Sequence, residues 1–219
     1  MLNELDKELT RRGLPFVRYA DDSMIFCKSK RAAKRVKESI TRFIEGKLHL
    51  KVNRDKTIVS YVKGVKYLGY SFYVMKGKCQ LTVHAKAKAK MKAKLKELTS
   101  RSNGWGYAKR KQKLEEYIKG WVGYYHLANM KRFLIEMDEW LRRRLRMCIW
   151  KSWKRVKTKV ANLVKCGIDK YQAYLWGNSR LGYWRIAGSY ILSRAITNEK
   201  LSMAGYATLM GAYIEWHPK

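Results

Sequence analysis

The sequence predicts an α+β chain, and three observations carry that expectation. Two short apolar runs flank an acid pair in Phe16-Val17-Arg18-Tyr19-Ala20-Asp21-Asp22-Ser23-Met24-Ile25-Phe26, the pattern of a β-hairpin with Asp21-Asp22 at its turn. Further β-like runs cover 57–62, 65–75 and 79–83, punctuated by Gly64 and Gly77. From His84 onward the apolar residues recur instead at helical spacing.

The elements follow in order. Leu2, Leu5 and Leu9 mark a short first helix, which Gly13 and Pro15 end before the hairpin. Ser29 is placed to cap a helix reaching about Leu48, with Ala33, Val36, Ile40 and Ile44 on one face. In the 65–75 strand, alternation would put Tyr67, Gly69 and Ser71 on a common face. The run from Ala85 to Lys90 alternates Ala and Lys, but both are strong helix formers, and Ala87, Met91, Leu95 and Leu98 continue it as a helical stripe. Asn103-Gly104 breaks that helix. A second carries Leu114, Ile118, Trp121 and Tyr125, and a third Leu134, Met137, Leu141, Leu145 and Cys148, which together predict a small helical bundle. Asp169 and Ser189 are placed to cap short helices in the last part. The expected divisions are 1–83, 84–165 and 166–219.

Charge narrows the function. The 219 residues carry 49 Lys+Arg against 17 Asp+Glu, a formal net charge of +32. Such an excess opposes a compact state through self-repulsion unless a polyanion is the partner. With 47% hydrophobic residues, 15 Tyr and 8 Trp, the chain is nevertheless a folding one, rich in rings that stack on bases. The excess is concentrated in 84–160, with 23 Lys/Arg and 6 Asp/Glu, whereas 166–219 has 6 and 3. Arg142, Arg143, Arg144 and Arg146 cluster beside Trp140, Trp150 and Trp153, a pattern suited to phosphates and stacking. A solvated helix face is the plainer alternative. No apolar run approaches the ~20 residues of a membrane helix, and no signal region precedes the hairpin. Cys27, Cys79, Cys148 and Cys166 show no metal-binding spacing and are expected to be reduced. The histidines likewise show no ligand spacing.

The acid pair bears the chemistry. Adjacent carboxylates repel and raise each other's pKa unless a cation joins them, and a divalent metal does so. Paired metals are how polymerases stabilise the attacking and leaving oxygens of phosphoryl transfer.

The Tyr-Ala-Asp-Asp string resembles the catalytic hairpin of reverse transcriptases, and the order of later motifs makes the resemblance specific. Asn53-Arg54-Asp55-Lys56-Thr57 follows the next helix, then Tyr67-Leu68-Gly69-Tyr70. Gly120-Trp121-Val122-Gly123-Tyr124-Tyr125 and Trp140-Leu141-Arg142-Arg143-Arg144-Leu145-Arg146 come next, and Tyr183-Trp184-Arg185 near the end. Over essentially its whole length the chain resembles a bacterial group II intron-encoded reverse transcriptase/maturase, a cytoplasmic protein of a mobile element. The resemblance implies a partial palm at 1–83, a maturase-specific or thumb domain at 84–165 and a small DNA-binding module at 166–219, without an endonuclease domain.

It also implies roles. Asp21 and Asp22 would be the catalytic carboxylates that hold Mg2+. Tyr19 and Ala20 would lie near the primer terminus or incoming deoxynucleoside triphosphate. Lys56 would neutralise triphosphate charge, a solvated loop lysine being the equal alternative. Leu68 and Gly69 would support the primer, although a sheet-core Leu and a bulge Gly explain them nearly as well. Trp121, Tyr124 and Tyr125 read as thumb core. Arg142, Arg143, Arg144 and Arg146 would bind intron RNA, and target DNA would be a further partner. The family places fingers and another metal-binding Asp before the hairpin, whereas Met1 to Asp6 resembles an internal palm stretch. The chain is therefore expected to be a C-terminal part or a truncated frame that polymerises little alone. A non-catalytic RNA-binding splicing factor, or an inactive remnant, is the competing expectation.

Overall fold

The computed structural model describes residues 2–218. Met1, the first residue of the stretch read as internal palm sequence, lies outside them. The chain divides into two compact units, Met1–Thr82 and Val83–Lys219.

In the first unit α1 (Leu2–Arg11) leads into the hairpin β1 (Phe16–Tyr19) and β2 (Asp22–Ile25), followed by α2 (Lys30–Gly46). Ser29 caps α2 by accepting from the Ala32 N–H, as its hydroxyl before an amphipathic run predicts. Leu5 and Leu9 of α1, Ile40 of α2 and Leu48 form the core, with Phe16 and Ile25 from the hairpin packed against it. The apolar spacing of α1 and α2 is thus what holds the hairpin in place.

Three strand expectations are corrected. Register pairs Tyr19 with Asp22, so the hairpin turn is Ala20-Asp21, and Asp22 begins β2. The 57–62 run is not a strand: it follows a turn in which Asn53 accepts from the Lys56 N–H through its side chain and from the Thr57 N–H through its carbonyl, and it runs without regular structure into a 3-10 turn at Val62–Gly64. The 65–75 run is broken in two, β3 (Lys66–Tyr67) and β4 (Tyr70–Met75), with Tyr67 opposite Tyr70. Leu68 and Gly69 have φ of 49° and 81°, the two left-handed residues of a tight hairpin turn, so Tyr67, Gly69 and Ser71 share no face. β5 (Lys78–Val83) completes the order β3-β4-β5.

The second unit is helical: α3 (Ala85–Leu98), α4 (Tyr107–Tyr125), α5 (Lys131–Ser152), α6 (Val156–Lys165), α7 (Lys170–Gly177), α8 (Tyr183–Ala187), α9 (Tyr190–Ala195), α10 (Asn198–Met203) and α11 (Leu209–Glu215). The stripes read from sequence are buried on α3 and α5. On α4 the buried face is Leu114, Ile118 and Val122, so it falls beside Trp121 and Tyr125. The bundle has a fourth member that the pattern did not reveal. Leu209, Ala212 and Tyr213 of α11 are buried where that helix packs on α4 and α5. Tyr213 also donates to the Ala128 carbonyl at 3.0 Å. α8 packs on α5 around Met147, Cys148 and Ala187. α6 and α7 form a close helical pair, in which a Cβ at Gly177 would lie 2.6 Å from a Val160 methyl.

Candidate nucleic-acid active site and interface

The site of the first unit is the hairpin tip. Asp21 and Asp22 are exposed there, and Tyr19 beside them is 65% exposed. Ala20 holds a φ of 52°, a conformation costly to any residue with a Cβ; such strain persists only where surrounding contacts enforce it. Those contacts come from Arg18. It donates to both Asp6 carboxylate oxygens, one at 2.7 Å, and to the Ala20 carbonyl at 2.9 Å. The bond from Arg18 holds the Asp6 carboxyl below the ordinary aspartate range. Asp6 is therefore spent on a brace between α1 and the turn. The sequence showed Arg18 only as a hairpin residue, and no spacing marked Asp6 as its partner.

Tyr67 belongs to the same place. Its hydroxyl reaches the Asp22 carbonyl over a long 3.4 Å. Burial, followed by the nearby Asp22 charge, raises its pKa. The hairpin and the Leu68-Gly69 turn are thereby brought together, since Tyr67 ends the strand that enters that turn. Lys56 is exposed on the separate Asn53 turn, which Lys37 ties to α2 by donating to the Thr57 carbonyl.

The donor set can be weighed for a metal. Two carboxylates match a hard divalent cation in charge and donor type, but supply only part of a shell of about six oxygens. Among the described residues no group of three or more His, Cys, Asp or Glu is arranged to hold a metal ion. Asp21 and Asp22 are thus a partial donor set.

In the second unit the arginine cluster separates into distinct jobs. Arg144 faces inward, 9% exposed, whereas both the RNA contact expected of it and the alternative of a solvated face need an accessible guanidinium. Its guanidinium donates to the Thr99 hydroxyl and, at 3.0 Å each, to the Thr99 and Lys96 carbonyls, so it caps the C-terminus of α3. Arg146 donates to the Ile196 carbonyl at 2.8 Å and the Asn198 side chain at 2.9 Å. Arg143 donates to the Trp184 carbonyl at 2.9 Å and lies 4.2 Å over its ring. Arg101 and Lys151 stand over Tyr183 at 4.8 and 5.6 Å. Trp184 remains 40% exposed, so rings and cations alternate on an accessible face. Tyr124, read as core, is 54% exposed.

The first unit therefore has the acid-tipped hairpin of a nucleotidyl-transfer palm, and the second a basic helical bundle. Comparison with family models supports both. Residues 1–72 match the reverse transcriptase (RNA-dependent DNA polymerase) family, and residues 88–167 match the group II intron maturase-specific domain. The chain belongs to the group II intron-encoded reverse transcriptases/maturases. No curated protein matches it. Reverse transcriptases are metal-dependent as a family, and both matched families concern nucleic acid. Among the described residues no helix is long and apolar enough to cross a membrane.

Proposed function

We propose that the chain binds group II intron RNA chiefly through residues 84–160 and assists its splicing in the bacterial cytoplasm. In polymerisation, Asp21 and Asp22 would hold Mg2+, which would offset the charge that develops as a primer 3′-hydroxyl displaces pyrophosphate from the α-phosphorus of a deoxynucleoside triphosphate. Tyr19 and Ala20 border the primer terminus or nucleotide, Leu68 and Gly69 support the primer, and Lys56 offsets triphosphate charge. Residues 166–219 contact target DNA. The observation that carries this reading is the strained Ala20-Asp21 turn, held by Arg18 so that two carboxylates stand exposed at the tip. Arg143, over the exposed Trp184 ring, and the half-buried Arg142 are the members of the arginine cluster we retain as facing RNA.

A second reading, a splicing factor that does not polymerise, draws support from Asp6, the acid on α1 nearest the hairpin brace, being neutralised by Arg18. The experiment is a competition titration at physiological salt, because a +32 chain binds almost any RNA at low salt. A structured group II intron RNA should outcompete transfer RNA and a duplex of equal length, and should do so equally in Asp21→Asn. Equal competition by all three rejects the maturase function for this chain.

A further inference from the structure

α8 lies on α5 over Met147 and Cys148, and this seats two adjacent rings, Tyr183 and Trp184, among cations. Arg143 stands over Trp184 at 4.2 Å, while Arg101 and Lys151 stand over Tyr183 at 4.8 and 5.6 Å. Arg143 and Lys151 are eight residues apart on α5, about 12 Å along its axis, so the pair of rings has a cation toward each end. Arg101, Lys151 and the neighbouring Arg185 are exposed. Among the described residues none of these four cations forms an ion pair. Arg143 is fixed in place: its Nε and one terminal nitrogen donate to the Trp184 carbonyl, and a Cβ at Gly188 would collide with its guanidinium. The rest of its five N–H donors stay available to an anion. Trp184 is still 40% exposed with Arg143 over one face of its ring.

We propose that Trp184 is a stacking platform for an unpaired nucleotide of bound RNA, an inference that rests on the RNA-binding reading above. It extends the RNA surface beyond residues 88–167, the stretch matched to the maturase-specific domain, into the end segment. An unpaired base lays its flat face on the indole, and the phosphates on either side of it meet Arg143 and the cations around Tyr183. The chemistry of the surface selects this occupant. An apolar partner would strip water from four cations and give them no counter-charge. A small anion would satisfy the cations and leave the rings unused. Double-stranded RNA keeps its bases stacked inside the helix and has no base face to offer an indole. Stacking also tolerates any base, so the platform suits a loop or bulge of whatever sequence.

The test titrates the full chain at physiological salt with a short single-stranded RNA, the same strand made abasic, and a duplex RNA and a single-stranded DNA of equal length. Trp184→Leu should weaken binding of the single-stranded RNA about tenfold and leave the abasic and duplex affinities unchanged. Trp184→Phe keeps a ring and should lose only about threefold. Arg143→Gln should instead flatten the salt slope for base-bearing and abasic strands alike, by roughly one released counterion, because its partner is a phosphate. In the unaltered protein, bromouridine placed in the single-stranded RNA should photocrosslink to Tyr183 or Trp184, a readout that needs no variant. Unchanged affinity of Trp184→Leu for the single strand, or crosslinks that avoid both rings, overturns the platform and leaves Trp184 as a brace for Arg143. A Trp184 effect confined to the DNA strand assigns the surface to DNA and overturns it as well. Failure of the wider reading shows separately, as loss of the intron-RNA preference in the competition titration.

Discussion

Asp138, in the middle of α5, accepts a hydrogen bond from the backbone N–H of Leu209 at 2.8 Å, and its second oxygen accepts from Met210 at 2.9 Å. The carboxylate is 3% exposed and caps the first turn of α11 from another helix. Two free N–H groups and the positive end of α11 are satisfied at once. This contact joins the last helix to the bundle core that the family match covers.

Burial outweighs those two N–H bonds and lifts the Asp138 pKa above the ordinary aspartate value. An acid with a raised pKa binds more protons folded than unfolded between its two pKa values. Its stabilising contribution is therefore full at the acid end, declines as pH rises through that window, and is flat above it. Asp138→Asn turns an amide N–H toward a backbone N–H and should cost about 1–3 kcal/mol. The loss should be larger at the acid end of the carboxylate range than at neutral pH. Urea melts of both proteins across that range check it, and identical pH slopes would refute the protonation argument.

Arg144→Gln removes the guanidinium that caps α3 and should destabilise the protein by about 2–3 kcal/mol. The salt slope of RNA binding should not change, because Arg144 faces Thr99 rather than solvent. Arg142→Gln should do the reverse, leaving the melt nearly unaltered and flattening the slope by roughly one released counterion. Denaturant melts beside RNA titrations at several salt concentrations separate the two arginines.

Left-handed backbone at residues with a Cβ gives a third test. Leu68→Gly should relieve its turn, with the gain partly offset by lost packing of a half-buried side chain, whereas Gly69→Ala should cost about 1 kcal/mol. Ala20→Gly should stabilise the hairpin by about 0.5–1 kcal/mol while loosening the aim of Asp21. Thermal melts measure all three, and a destabilising Ala20→Gly would show that no strain is held there.

Metal binding at the hairpin is checked without reference to polymerisation. Fe2+ substituted for Mg2+ and supplied with hydrogen peroxide, which oxidises it to Fe3+ and releases hydroxide and a hydroxyl radical, with ascorbate to recycle the iron, cuts nearby backbone. Cleavage should fall around residues 16–26 and disappear in Asp21→Asn. An unchanged cleavage pattern in that variant would remove Asp21 from the donor set.

Much of this protein was legible because it depends on local order. The stripes Met91-Leu95-Leu98 and Leu134-Met137-Leu141-Leu145 predicted their helices, since burying one face at a period of 3.6 needs only the sequence itself. Ser29 and Asp169 announced helix starts because a cap bonds N–H groups two or three residues away. The acid-tipped hairpin was equally visible. Its turn falls one residue before the acid pair, because backbone pairing at Tyr19 and Asp22 rather than side-chain type sets the register. Tertiary structure alone decided which acids and cations are free. Nothing in the spacing shows that Asp6 pairs with Arg18, and Arg144 could have met a phosphate until Thr99 and Lys96 did. Asp138 is one of three acids in Glu136–Glu139, and only the return of α11 singles it out as buried. Each is a partnership across many residues of chain, chosen by the cost of burying an unpaired charge, and no spacing along the sequence records that cost.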